Sequence, residues 1–291
     1  MTKTGMTMKP HNFKNQVNAV GGLSVAIVAG FFAYELGRSR DAPPCGMRFP
    51  SVTEMSLVKQ GGAALSPGEL QARAGIGETG MIEKASIVRV DGGPSPYALS
   101  VAVGGQVATD TGASFFWAPA GMTKATAACL SYDVFVPAKF DFARGGRLPG
   151  LFGGIFSGNL STSQNAIGMH LTWDERGQIG LGGISASGNG GAAASAMRLH
   201  YQSELEMPRG RWVRFEQEVA MNTPGAENGL LRLWIDGQLK LQDTAVVWRP
   251  DESLALTGAW ADIGYQSFGG IERTAKSQSG INVSPLRLSW Q

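Results

Sequence analysis

From Ile82 onward, short runs rich in β-branched and aromatic residues are closed again and again by turns of glycine, proline or Asp-Gly. Ala85 to Val90, Asp91-Gly92-Gly93-Pro94, Tyr97 to Val103 and Gly104-Gly105 read as strand, turn, strand and turn, and Ser114 to Trp117 and Thr126 to Val136 continue the series. The clearest hairpin joins Leu230–Ile235 to Gln238–Gln242 through Asp236-Gly237, because Asp-Gly supplies the positive φ of a two-residue turn. No helical stretch separates these runs and no fixed repeat is visible. Such a chain folds as an all-β, two-sheet antiparallel sandwich. Its 41 glycines in 291 residues, against a usual share of roughly 7%, agree with many tight turns.

The amino-terminal part reads differently. Val17 to Tyr34 is an almost unbroken apolar run without a polar face, long enough for a membrane-spanning helix, and no convincing cleavage site follows it. Residues 1–16 are then a tail, 17–36 a transmembrane signal anchor and 37–50 a proline-bearing linker. Residues 51–291 form the folded domain, placed on the periplasmic or extracellular side. A short helix begins at Ser66-Pro67-Gly68-Glu69, with a serine N-cap, proline in the first position, a glutamate that closes a capping box, and Gly75 as a stop.

A net charge of +2 without a basic stripe argues against nucleic acid as a partner. Cys45 and Cys129 lack metal-ligand spacing and are expected as two unpaired thiols, although a domain outside the cytoplasm would permit a disulfide. No Cys/His metal cluster, phosphate-binding loop or nucleophile elbow is present, so neither metal nor cofactor is expected.

The stretch most suggestive of chemistry is Tyr132 to Gly154. A strand from Tyr132 to Val136 is closed by Pro137, and Arg144-Gly145-Gly146-Arg147-Leu148-Pro149-Gly150 then sets two guanidinium groups in a glycine-rich backbone. A guanidinium pairs two-pronged with a carboxylate. This stretch resembles the "YDVYFPEDFDFVKGGKLPGL-GG" segment of polysaccharide lyase family 14, the alginate and glucuronan lyase type. Trp212 to Gly237, with Glu216-Gln217, Asn222-Thr223-Pro224-Gly225 and Asn228-Gly229, is similar to the family's "W-R-EQ-V-NTPG-NG-LR-W-DG". Gly264 to Gly270 is similar to its late "F-STFFGG" strand.

The resemblance implies a concanavalin-like jelly roll whose concave sheet holds an acidic polysaccharide. It also implies β-elimination, in which a uronate carboxylate is neutralised, a base takes the neighbouring proton and an acid protonates the departing oxygen. The family's motif lysine is here Arg147, which suits the neutralising role and is a poor base. Its Ser-x-Arg-x-x-Trp strand aligns with Gly168 to Trp173, so the arginine becomes His170, whose ring titrates near neutral pH. The family's paired tyrosines fall near Gly180 and Gly182, and Tyr265 or Tyr201 is the available replacement. The expected catalytic set is therefore Arg147, His170 and Tyr265, with Arg144, Gln217, Trp173 and Tyr201 as substrate contacts; Lys139 falls on a solvated turn outside the motif. Two other readings remain open: a non-catalytic carbohydrate-binding or structural module, and a glycoside hydrolase using Glu216 and Glu218. Gly180 to Ala196, nearly free of side chains, is expected as a plain loop whose later half is mobile.

Overall fold

A computed structural model describes residues 42–73, 78–104, 112–143, 145–154, 166–186, 197–265 and 279–291. Pro43–Gln291 form one compact unit. The predicted anchor at 17–36 and most of the glycine-rich segment after Ala186 lie outside the described residues. Among those residues no helix is long and apolar enough to cross a membrane.

The expected sandwich is present. One sheet runs β12 (Gln238–Val246), β11 (Gly229–Ile235), β10 (Trp212–Ala220) and β5 (Ala127–Phe135). Beyond β5 come two consecutive short strands, β14 (Ser279–Val283) and β15 (Arg287–Trp290). β14 leads on to β3 (Tyr97–Val103) and β2 (Ala85–Arg89), while β15 pairs with β1 (Ser51–Glu54). The second sheet has six strands: β4 (Gly112–Trp117), β13 (Leu256–Tyr265), β6 (Gly146–Gly154), β7 (Ala166–Trp173), β8 (Gln178–Ser185) and β9 (Met197–Glu206). Neighbouring strands are antiparallel throughout.

Alternation along each strand decides what is buried between the sheets. Met169, Leu171 and Trp173 of β7, Ala259, Ala261, Ile263 and Tyr265 of β13, and Val213, Phe215 and Val219 of β10 share one core. The hairpin at Asp236-Gly237 forms as expected, with φ of 49° and 76°. The capping box forms too, since Glu69 Oε2 accepts from both Ser66 N–H (2.9 Å) and the Ser66 hydroxyl (2.8 Å). It opens α1 (Pro67–Arg73), which buries Leu70 against the sandwich.

Two expectations are corrected. Cys45 and Cys129 are joined as a disulfide across 84 positions, not free thiols. Accordingly the folded unit begins at Pro43, because residues 45–48 dock on the outer face of the nine-stranded sheet. Glu216 Oε2 accepts from Gly46 N–H at 2.8 Å, and Arg48 pairs with Glu218 at 2.7 Å. Glu216 also holds Arg214 at 2.9 Å, and Glu218 holds Arg232 at 3.3 Å. Both buried carboxylates are thus tied to partly exposed arginines, in a network that anchors the segment carrying Cys45.

The element that positions the site is a bulge in β6. Register against β7 shifts between Leu148 and Gly150, around a proline with no N–H to give. The bulge's remaining backbone groups are met through the core by the opposite sheet. Tyr132 of β5 donates its hydroxyl to the Pro149 carbonyl at 2.7 Å. Gln217 of β10 accepts from Leu151 N–H and donates to the Met169 carbonyl, each at 3.0 Å. Gln217 therefore bridges the sheets with both ends of its amide, and substrate contact is not its role. Replacing it by leucine strands a buried N–H and a buried carbonyl, each worth roughly 1–3 kcal/mol. Gln217→Leu is expected to lower the unfolding free energy by about 2–6 kcal/mol in urea titrations; an unchanged midpoint would contradict the bridge.

Candidate active site

The site lies on the face of the six-stranded sheet turned away from the core. Gly145 (φ 86°) turns the chain into β6, and Gly146 allows Trp173 and the Gly264 carbonyl to approach where a Cβ would collide with both. Arg147 follows, opposite Gly264 on one side and Thr172 on the other. Its neighbour Leu148 fills the core, so the Arg147 side chain takes the outer face, where it is 28% exposed. One row along the sheet, Trp260, Gly150, His170, Gly182 and His200 stand in cross-strand register over five strands. Gly150 is the close approach in this row, since a Cβ there would come within 1.9 Å of the Met169 carbonyl oxygen. Having no side chain, it also lets the His170 and Trp260 rings meet over it, edge to face, with centroids 4.5 Å apart. Trp260 is held in turn by its indole N–H on Ser114 Oγ (2.7 Å) and by stacking on Phe116.

His170 is 1% exposed. Its Nδ1 lies 3.2 Å from the Leu148 carbonyl oxygen. A carbonyl only accepts, so Nδ1 carries the proton and Nε2 is left with a lone pair. Nε2 is buried and has no hydrogen-bond partner. Burial first, and the Arg147 cation second, push the ring's pKa down to about 3, against the smaller opposing effect of the Leu148 carbonyl. His170 is therefore neutral, presenting an unpartnered acceptor beside a cation.

Arg147 Nη1 is 3.3 Å from Asp262 Oδ2. Asp262 sits on β13 with its neighbours Ala261 and Ile263 in the core, which turns it to the same outer face as Arg147. Burial raises the Asp262 pKa above its ordinary value, and Arg147 draws it partly back. Asp262, Trp260 and Ser114 were missed by motif reading. The signal available was the alternation of Ala259-Trp260-Ala261-Asp262-Ile263, which puts tryptophan and aspartate on one face.

The structure brings Arg147 and His170 together and leaves the other expected site residues elsewhere. Tyr265 points into the core, stacks on Phe140 and donates its hydroxyl to the Asp141 carbonyl. Trp173 shares the core phase and packs against Phe140, Phe142 and Tyr265. Tyr201 leans to the core side and donates to Asp243 Oδ2 at 2.7 Å, tying β9 to β12. Those three and Gln217 are structural, for one reason: each falls on the inward phase of its strand. Arg144 lies outside the described residues. Beyond His170, Gly180 and Gly182 put no side chain on the outer face of β8 at the positions opposite Thr172 and His170. Glu216 and Glu218 lie on the other sheet, each engaged by arginine, which leaves no carboxylate pair for hydrolysis there.

The profile described as polysaccharide lyase 14 matches residues 100–282. The fold agrees with solved structures at low identity. An alginate lyase from Aplysia kurodai shares 19% identity and a TM-score of 0.62, over 74% of this chain and 89% of its own. The alginate lyase vAL-1 from Chlorella virus shares 18% and 0.63, over 82% and 99%. An endo-β-1,4-glucuronan lyase from Trichoderma reesei shares 9% and 0.51, over 87% and 96%. Among curated proteins nothing matches. The two-sheet sandwich is the fold these lyases share. The chain belongs to the polysaccharide lyase 14 family.

The depressed His170 pKa makes stability depend on acid. Between about 6.5 and about 3 the unfolded chain binds a proton that the folded ring refuses. Folding stability therefore falls as pH drops through that window, with a contribution up to about 1.4 kcal/mol per pH unit. In urea titrations at pH 7, 6 and 5, His170→Gln is expected to show a shallower loss than the parent; parallel losses would contradict a buried neutral ring.

Proposed function

We propose that this protein cleaves a uronate-containing polysaccharide by β-elimination. The observation that carries the reading is the placement of Arg147 and the unpartnered Nε2 of His170 on adjacent strands of one face, one row apart. The family membership and the polyuronate substrates named for the three lyases support the substrate class. Arg147 neutralises the C6 carboxylate and so acidifies the hydrogen on C5. His170 Nε2 accepts that proton. In the free protein the adjacent cation weakens this base. A bound carboxylate offsets that charge, so the substrate removes the second of the two causes that weaken the ring, after burial.

A binding module without turnover is the second reading, favoured by the glycines at 180 and 182 where the family has phenols. Both are tested by incubating residues 43–291 with a panel of polyuronates and following the ultraviolet absorbance of unsaturated ends. A lyase gives new absorbance, reduced about 10²- to 10⁴-fold in His170→Gln and comparably in Arg147→Ala. Retention on a polyuronate column with no absorbance supports the binding module, and reducing ends without absorbance support a hydrolase.

The Cys45–Cys129 disulfide favours an oxidising compartment. With the apolar run at 17–36 it supports a domain anchored outside the cytoplasm. Alkaline extraction of cell membranes should leave the full chain in the pellet, and its release into the supernatant would remove the anchor from this account.

A further inference from the structure

Asp262 and His170 stand on the two strands that flank β6, with Arg147 on the strand between them. Strands lie about 4.8 Å apart, so the flanking pair is separated by roughly 10 Å of backbone, a span on the scale of one sugar ring. We propose that Asp262 is the acid of the reaction and gives its carboxyl proton to the departing glycosidic oxygen. This rests on the lyase reading above and deepens it, since neither Tyr265 nor Tyr201 reaches this face to play that part.

The electrostatics supply the proton when it is needed. In the free protein burial pushes the Asp262 pKa up and Arg147 holds it partly down. A uronate carboxylate arriving at Arg147 competes for the same cation and adds a second negative charge beside Asp262. Two carboxylates sharing one guanidinium do not both stay ionised in a buried setting, so Asp262 takes up a proton as substrate binds. The step then balances. His170 Nε2 takes the C5 proton, the C5–H pair becomes the C4=C5 double bond, and the C4–O4 pair leaves with the oxygen. The Asp262 proton closes that oxygen as a hydroxyl, and the proton on His170 returns to Asp262 through water. Among the described residues of this face, Ser114 and Thr172 have hydroxyls too weakly acidic for the task, and His200 is exposed two strands beyond His170.

The test uses two substrates that differ in their need for an acid. Asp262→Asn keeps an acceptor for Arg147 but has no proton to give. On a polyuronate the variant is expected to turn over about 100-fold more slowly or worse. On a synthetic uronide carrying 4-nitrophenoxide at C4, which departs without protonation, it should run near the parent rate. Equal losses on both substrates would reduce Asp262 to positioning Arg147, and no loss on either would remove it from the reaction; both overturn the proposal while leaving the lyase reading intact. A parent protein that forms no unsaturated ends from any polyuronate overturns the lyase reading and this proposal with it. A second measurement leaves position 262 unchanged. Titrating a uronate monomer into His170→Gln, in two buffers of different ionisation enthalpy, should show a proton taken up on binding near neutral pH. Binding without uptake overturns the proposal.

Discussion

The amide of Gln217 holds the two sheets at the one place where β6 departs from regular pairing. A bulge around a proline leaves backbone groups that its own sheet cannot satisfy, and in a core those groups must find partners. Gln217 and Tyr132 supply them from the opposite sheet. With the bulge fixed, Leu148 presents its carbonyl to His170, Gly150 lets that ring meet Trp260, and Arg147 emerges one row away on the same face. Buried polar contacts of this kind specify one arrangement of a core that apolar packing alone would leave less defined. The functional face is thus set from behind, by residues that no substrate touches.

On that face the charge of Arg147 acts on both of its neighbours, second to burial in each case. It weakens the base at His170 and partly offsets the effect of burial on Asp262. In the proposed mechanism an anion on the guanidinium weakens both influences at once, which strengthens the base and raises the carboxyl pKa further. A neutral sugar has no such effect. Preference for an acidic polysaccharide would then arise in the chemistry itself as well as in binding. Arg147 suits this coupling, because a guanidinium stays charged whatever its surroundings and leaves proton transfer to the groups around it.

Much of this architecture was legible in the sequence. The Asp236-Gly237 hairpin, the Ser66–Glu69 capping box and the run of short strands all follow from local rules and form as those rules require. The glycine-rich motif and the strand from Gly168 to Trp173 singled out Arg147 and His170, which the structure sets on neighbouring strands of one outer face. Errors came from following residue type instead of strand phase. Tyr265 keeps step with Ala261 and Ile263, Trp173 with Met169 and Leu171, and Gln217 with Phe215 and Val219, so all three turn inward. The same phase argument would have placed Trp260 and Asp262 outward. The disulfide was not legible, because it depends on residues 45–48 docking over Glu216 and Glu218 from far away in the chain.

The most direct test is a crystal structure of the His170→Gln protein with a polyuronate oligosaccharide bound. The account predicts a sugar carboxylate paired with the Arg147 guanidinium, C5 of that sugar over position 170, and its C4 oxygen toward Asp262. An oligosaccharide seated on another surface, or one whose carboxylates all face solvent while Arg147 stays with Asp262, would contradict it.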